Sequence, residues 1–396
     1  MKVLIIYQYF GGKSTMWSSR IYEMSKVWKS QGVDVTIVTA PYSKSDLKPG
    51  PFYVSRKNYE DLKLIVVNSA DNNTFSFFKR VLNQLIFSFF SIYYALTLKY
   101  DIIITSSGPI FVSFSGILAK LIRRKKFVFE LRDKWPDGAI ELGHITNRHI
   151  INLLKWFEKY IYINADLIVA ASVGMKNAIK NEGVYKKIFV APNACDKSFY
   201  NSVRNIRTEN DINLSTKIFV YFGSIGLMDD VSYLVKGFDD ANIQDSLFLI
   251  FGDGVERSKV EDYINEKKVK NIKLMGIVPK QEIFSWLDTS YVSLIAYKSF
   301  KSLQDSSPNK LFDSLAFGIP VLHNTTGWIK ELVDDNIIGI SVNPEIEGSM
   351  SKAIKFINDN SEIREKFAKN AINISDKYFN RTNISNEYLK QMQDLL

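Results

Sequence analysis

Twice along this chain, short apolar runs that end in loops of glycine, serine or asparagine alternate with stretches of helical spacing. Residues 3–7 form the first run; Gly11 and Gly12 break it, residues 16–30 have helical spacing, and residues 33–39 alternate as a strand. Runs at 102–105, 127–131, 167–170 and 188–191 repeat the pattern. Residues 197–216 turn polar and Asn-rich and read as a linker. Beyond them, runs at 218–222, 247–251, 272–275, 292–296 and 321–322 start the pattern again, and helical spacing prevails from Glu345 onward. Strands alternating with helices demand mostly parallel sheets covered on both faces. The chain therefore reads as α/β, two Rossmann-like domains facing a cleft. The expected divisions are a first domain at 1–196, a linker at 197–216, a second domain at 217–375, and a last helix at 376–396 packing back towards the first domain. Ligands in such sheets sit beyond the carboxyl ends of the strands.

Charge is divided unevenly between the halves. Residues 1–200 hold 28 basic and 15 acidic side chains, a net +13, whereas the remainder nets −4. An anionic partner for the first half follows, whether nucleic acid, an anionic membrane surface or phosphorylated substrates. The single cysteine, Cys195, excludes an internal disulfide and a multi-cysteine metal site. Three scattered histidines, His144, His149 and His323, suggest no metal. With no secretory signal after Met1, the expected compartment is the cytoplasm.

Residues 74–98 depart from the pattern. They are densely apolar, and 81–98 carry no charge, at the lower edge of what spans a bilayer. Asn83 and Gln84 interrupt the run, and Ser76, Arg80, Ser88 and Ser91 continue a polar row at helical spacing. Two readings stand: a helix packed on the sheet, or one resting in a membrane interface. In the second, Phe75, Phe77, Phe78, Phe89 and Phe90 face lipid, and Lys79, Arg80, Arg123, Arg124, Lys125 and Lys126 face anionic headgroups. Such a basic run also suits a solvated face.

Gly11-Gly12-Lys13-Ser14 resembles the end of a phosphate loop, but the first glycine of that motif would fall at Tyr7. What survives is a loop where Gly12 lets the backbone approach a ligand, or a plain turn. The acidic doublet Asp229-Asp230 reads as a solvated turn or helix start. The stretch from Asp305 to Val321 carries more. Pro308 and Asn309 mark a helix start, and Gly318 with Pro320 its end. The free amides at Asn309 would favour a diphosphate, Lys310 could neutralise a phosphate, and a carboxylate could accept both ribose hydroxyls. Spacing alone equally describes two carboxylates on a surface helix.

This stretch resembles the signature of family 4 nucleotide-sugar-dependent glycosyltransferases of GT-B fold: a Glu, seven residues, a second Glu, then a helix ending A-x-G-x-P-V. Asp305 and Asp313 have the matching separation, each Asp replacing Glu, and Ala316, Gly318, Pro320 and Val321 supply the ending. Residues 165–172 (ADLIVAAS) and 190–196 (VAPNACD) are similar to the family's ADxIxxxS and VxPNGxD blocks, and Gly252-Asp253-Gly254 to its GDG turn. Residues 129–137 (FELRDKWPD) resemble the RDLWP loop of members that build surface polysaccharides.

The resemblance implies transfer of a hexosyl or N-acetylhexosaminyl group from a nucleoside diphosphate sugar, a UDP-sugar expected, with retention and without metal or cofactor. The acceptor implied is a saccharide, free or polyprenyl-diphosphate-linked, in O-antigen or capsule assembly. The enzyme would be cytoplasmic, peripheral on the inner face of the membrane, and would not bind nucleic acid. The donor would lie on the second domain. Gly223, Ser224, Gly226, Gly252 and Asp253 would approach its diphosphate beside Asn309 and Lys310, with Gly12 reaching it from the first domain. A helix start at Gly226 would add its amides. Asp313, and after it Asp305, would bind the ribose, Ile277 and Val278 the base, and Thr326, Gly327 and Trp328 the sugar–phosphate region. Asp133, Arg132 and Asp305 are the catalytic candidates, Asp133 orienting the acceptor or taking its proton. Many members carry an Arg and a Lys where this chain reads GSIGLMDD at 223–230, so both cations are missing there. A nucleotide-sugar epimerase of the same fold, or a basic nucleic-acid-binding protein, are the alternatives.

Overall fold

The central strands carry apolar side chains on both faces because a parallel sheet is covered by helices on each side. The computed structural model describes residues 1–15, 18–72, 75–199 and 206–396. They fall into two units: Met1–Asn193 with Asp305–Ser307 and Arg381–Leu396, and Ala194–Gln304 with Pro308–Asn380.

In the first unit the strands are β1 (Lys2–Ile6), β2 (Asp34–Thr39), β3 (Val54–Tyr59), β4 (Leu62–Val67), β5 (Ile102–Ser106), β6 (Lys126–Leu131), β7 (Leu167–Ala170) and β8 (Ile188–Val190). They form one sheet in the order β3-β4-β2-β1-β5-β6-β7-β8, parallel except for the β3–β4 hairpin. The sequence reading omits that hairpin. Its turn takes positive φ at Glu60 (45°) and Asp61 (70°) without the Asn-Gly or Asp-Gly pair that marks such turns. The helices are α1 (Arg20–Ser30), α2 (Phe77–Thr97), α3 (Ser113–Arg123), α4 (Asp137–Glu141), α5 (Arg148–Asn164) and α6 (Val173–Asn181). The helix expected from residue 16 begins at Arg20; Met16 and Trp17 lie outside the described residues.

The C-terminal helix Arg381–Gln393 also belongs to this unit and packs on α1. The Trp28 indole N–H donates to the Ser385 carbonyl (2.8 Å), its ring meets Tyr388 edge-on at 5.2 Å, and Arg381 Nε donates to Glu23 Oε2 (2.9 Å).

Helix α2 divides its apolar surface. Phe87, Tyr94 and Ala95 join the core, and part of the polar row goes inward with them: Ser88 and Ser91 are buried, and Asn83 Nδ2 donates to the Ala70 carbonyl. Phe78, Leu82, Leu85, Phe89 and Tyr93 form an exposed stripe at helical spacing. Residue 74 lies outside the described residues.

The second unit holds β9 (Lys217–Phe222), β10 (Ser246–Phe251), β11 (Ile272–Gly276), β12 (Val292–Ile295), β13 (Val321–His323) and β14 (Gly339–Ser341), all parallel in the order β11-β10-β9-β12-β13-β14. The unpredicted β14 is a three-residue edge strand opened by a glycine, too short to show a period. Its helices are α7 (Ile206–Glu209), α8 (Val231–Ala241), α9 (Arg257–Lys267), α10 (Lys280–Leu287), α11 (Asn309–Ala316), α12 (Trp328–Asn336), α13 (Ser349–Asp359) and α14 (Ser361–Tyr378). Phe219, Phe248, Ile250 and Leu294 are fully buried in its core; each such side chain contributes about 1.5–3 kcal/mol. Of the expected linker, residues 200–205 lie outside the described residues.

Candidate active site

In the second unit the loops after β9 and β10 are packed backbone to backbone. Gly252 has φ +142°, and a Cβ there would lie 1.7 Å from the Gly223 carbonyl oxygen. The Ile225 N–H donates to the Asp253 carbonyl (3.0 Å), so Gly223, Ser224, Gly252 and Asp253 share one ledge beyond the strands. Gly226 does not begin a helix: α8 starts at Val231, and Asp230 caps it by accepting from the Tyr233 N–H. Asp229, expected at a solvated turn, is buried. Its Oδ2 accepts from the Gly226 N–H (3.3 Å) and its Oδ1 lies 3.1 Å from Lys310 Nζ.

Helix α11 does begin at Asn309, and Lys310 and Asp313 project from it one turn apart. Lys310 is buried against the end of β9, where Nζ donates to Tyr221 Oη (3.0 Å). Burial alone would lower its pKa, but the hydroxyl oxygens of Tyr221 and Tyr297 together with the Asp229 carboxylate outweigh that and hold it well above the usual lysine range. Asp313 Oδ1 lies 3.4 Å from Lys280 Nζ at the start of α10, directly after the Ile277-Val278-Pro279 loop. Trp328 stacks on Phe312 (6.3 Å, 22°), which steadies α11, and Gly327 abuts the Gln304 carbonyl. Thr326 and Gly327 are exposed before α12. Sequence reasoning missed Tyr221, Asp229 and Lys280, whose roles come from contacts distant in sequence.

In the first unit, Arg132 and Asp133 follow β6. Both N–H groups donate to Ser107 Oγ, at 2.8 and 3.4 Å. Arg132 Nη2 donates to Ser18 Oγ (2.9 Å), and the guanidinium lies 4.7 Å from the Tyr7 ring centre. Asp133 keeps a solvent-exposed edge, yet the low-dielectric surroundings raise its carboxyl pKa against the pull of Arg132. Gly12 is a correction. Its N–H is taken by Asp46 Oδ1 (2.8 Å) rather than left for a ligand, and its lack of a side chain makes room for Tyr59, whose Oη would lie 2.2 Å from a Cβ. Asp305 belongs to this unit, with Oδ2 3.4 Å from Lys134 Nζ, whereas Asp313 belongs to the other.

Helix α3 packs against both α2 and α5. Leu121 and Ile122 on α3, and Leu153 and Trp156 on α5, are exposed as is the α2 stripe, Phe78 at 84% and Trp156 at 61%. These three helices contain one acidic residue, Glu158, which is buried and bonded to Lys155 and Tyr162. Of the basic residues expected at headgroups, Lys79, Arg124 and Lys126 are exposed and Lys125 is half-buried. Arg80 instead turns to Asp71 (3.4 Å), and Arg123 donates to the Ala95 and Leu98 carbonyls at the end of α2. The Phe77 side chain lies outside the described residues.

His323 ends β13 fully buried, with Nδ1 2.6 Å from Thr325 Oγ1 and Nε2 2.9 Å from Ser341 Oγ. Burial pushes its pKa down to about 4, Asp334 opposing and Lys330 adding. In the unfolded chain the value is about 6.5, so from about pH 6.5 down to 4 the unfolded state binds a proton that the folded state does not. The contribution is intact above that window and is lost through it, about 3 kcal/mol in all. Urea unfolding at pH 7 and 4.5 should show His323→Gln losing less stability on acidification than the wild type; equal losses would refute the assignment.

Residues 18–199 match Glycosyltransferase Family 4, and residues 202–374 match Glycosyl transferases group 1. A Klebsiella pneumoniae protein described as an uncharacterized 41.2 kDa protein in the cps region is 25% identical over 70% of this chain and 76% of its own length. The Campylobacter jejuni N-acetylgalactosamine-N,N'-diacetylbacillosaminyl-diphospho-undecaprenol 4-alpha-N-acetylgalactosaminyltransferase is 24% identical over 63% of this chain and 64% of its own. Anabaena HepE, solved with UDP and glucose, has a TM-score of 0.72 at 15% identity over the whole of both chains, a likeness of fold. Two parallel-dominated sheets and two matches that together span most of the chain define a glycosyltransferase of the GT-B type. The protein belongs to the family 4 glycosyltransferases of GT-B fold.

Proposed function

We propose that this glycosyltransferase moves a hexosyl or N-acetylhexosaminyl group from a nucleoside diphosphate sugar, a UDP-sugar first among the candidates. The acceptor is a polyprenyl-diphosphate-linked saccharide at the inner face of an anionic membrane, in capsule or lipopolysaccharide assembly. The observation that carries the donor reading is Lys310 against the Gly223 ledge with Asp313 one turn along the same helix. The ledge and Lys310 suit a diphosphate, and the Asp313 carboxylate suits two ribose hydroxyls. In transfer, the anomeric C–O bond breaks with its electron pair going to the diphosphate, beside Lys310. The acceptor oxygen bonds to the anomeric carbon and releases its proton, with Asp133 the candidate to orient or accept it. The reaction retains anomeric configuration and needs no metal.

The acceptor reading is supported by the activity for which the Campylobacter relative is named, by the capsule-region relative, and by the apolar face of α2, α3 and α5. No described helix is long and apolar enough to cross a membrane. An apolar face with basic flanks, and with no acidic side chain exposed on these three helices, suits a membrane surface bearing anionic headgroups.

The test incubates the protein with UDP-, GDP- and ADP-sugars, with and without a polyprenyl-diphosphate-linked saccharide in phosphatidylglycerol vesicles. A transfer product that requires the acceptor is expected; an epimerised donor formed without acceptor would replace this reading with the epimerase. Phe89→Ser with Trp156→Ser should reduce co-sedimentation with those vesicles at least about fivefold, roughly the loss of 1 kcal/mol, and undiminished binding would remove the membrane assignment.

A further inference from the structure

The environment of Lys310 is unusual for a lysine. Its Nζ donates to Tyr221 Oη at 3.0 Å and Asp229 Oδ1 at 3.1 Å, and lies 4.4 and 4.9 Å from the ring centres of Tyr221 and Tyr297. Through its other oxygen Asp229 also accepts from the Gly226 N–H, so one carboxylate ties α11 to the loop after β9. An ammonium group has three N–H donors, and two are engaged here. Nζ also fills the space beside Gly223 where a side chain would stand, 3.1 Å from a Cβ built there. That is the side on which a diphosphate lying along the Gly223 ledge would meet the third N–H.

The titratable groups facing Lys310 are Tyr221 from β9, Asp229 from the loop that follows, and Tyr297 from beyond β12. Tyrosine hydroxyls are neutral near pH 7, and burial pushes Tyr221 higher still. Asp229 is therefore the anion that balances this cation. A lysine buried without such a partner loses its proton far more readily.

We propose that Asp229 is a positioning residue for glycosyl transfer, fixing Lys310 as the cation that stands in for the missing Arg and Lys and receives the leaving diphosphate. This rests on the donor reading above. Asp229 does not touch the donor; it acts through Lys310. The acidic residue in a loop where the family resemblance calls for cations is then part of an exchanged pair, its positive member supplied by another helix.

The test titrates UDP, GDP and ADP into the full chain at pH 7 and pH 9. The wild type should bind its preferred diphosphate within about twofold at both pH values. Asp229→Asn should bind it at least about tenfold more weakly at pH 9 than at pH 7, as the unpaired lysine deprotonates, while the matching nucleoside shows no such change. Asp229→Asn with Lys310→Gln removes both charges and leaves no lone buried ion; it should bind as Lys310→Gln alone does, a comparison that decides even where the single Asp229 variant fails to fold.

Three results would overturn the proposal while leaving the donor reading intact. They are a flat pH profile in Asp229→Asn, tighter binding by it at both pH values, or a further loss when Asp229→Asn is added to Lys310→Gln. A wild type that binds none of the three diphosphates would overturn the donor reading and this proposal with it.

Discussion

Asp313→Ala is expected to abolish measurable donor turnover, a fall of at least about 10²-fold, with the fold intact. A carboxylate accepting two ribose hydroxyls makes two charge-assisted hydrogen bonds, each worth about 1.5–3 kcal/mol. Asp313 is buried on α11, and its preset position beside Lys280 leaves little to reorganise on binding. Removing it also takes an anion from Lys280, so Asp313→Asn, which keeps the shape, is the companion variant. Donor affinity by calorimetry, with unfolding curves for both variants, separates binding from stability. A folded Asp313→Ala protein with wild-type donor affinity would refute the ribose role.

The largest loss of stability is expected at Glu130 of the first unit. Glu130 is fully buried on β6; Oε1 accepts from Arg20 Nε (3.0 Å) and Oε2 from Ser106 Oγ (2.6 Å). Arg20 continues the network, donating to the Pro192 and Ala191 carbonyls at 2.8 Å each, so α1, β6 and the loop after β8 meet at one guanidinium. Burial alone would raise the Glu130 pKa, but Arg20, Arg132 and Ser106 outweigh it and hold the carboxyl ionised. Glu130→Ala strands the Arg20 charge in the interior and should cost about 3–5 kcal/mol. Glu130→Leu with Arg20→Met should recover much of that in urea unfolding. A single variant within about 1 kcal/mol of wild type would show that the pair contributes little.

The strand–loop–helix order was legible because β1, β5, β9 and β10 are apolar on both faces and end in loops of small residues. Strand β3, VSRKNY, is a half-exposed edge strand and shows no such run. The site was legible where it is contiguous, as in Asn309, Lys310 and Asp313. It was illegible where one residue answers another far along the chain. Asp229 looked like a turn residue because nothing near it in sequence announces Lys310. The Gly12 amide looked available because its partner, Asp46, lies 34 residues away. Helix α2 was ambiguous for a different reason: its polar side chains are short enough to bond backbone within the unit, leaving apolar ones outside.

The helix Arg381–Gln393 also bears on how the protein is made. The first unit needs this helix to bond the Trp28 indole and to balance the buried Glu23. Its last large segment before that helix ends at Asn193. At ~5–20 residues per second of synthesis, the early part of the chain waits on the order of 10–40 s for its closing helix, with Trp28 and the surface beneath it unsealed. The second unit can gather its own sheet in that interval. The first to be synthesised is thus the last to be completed, and nascent chains stalled before Arg381 are the ones that would most need a chaperone.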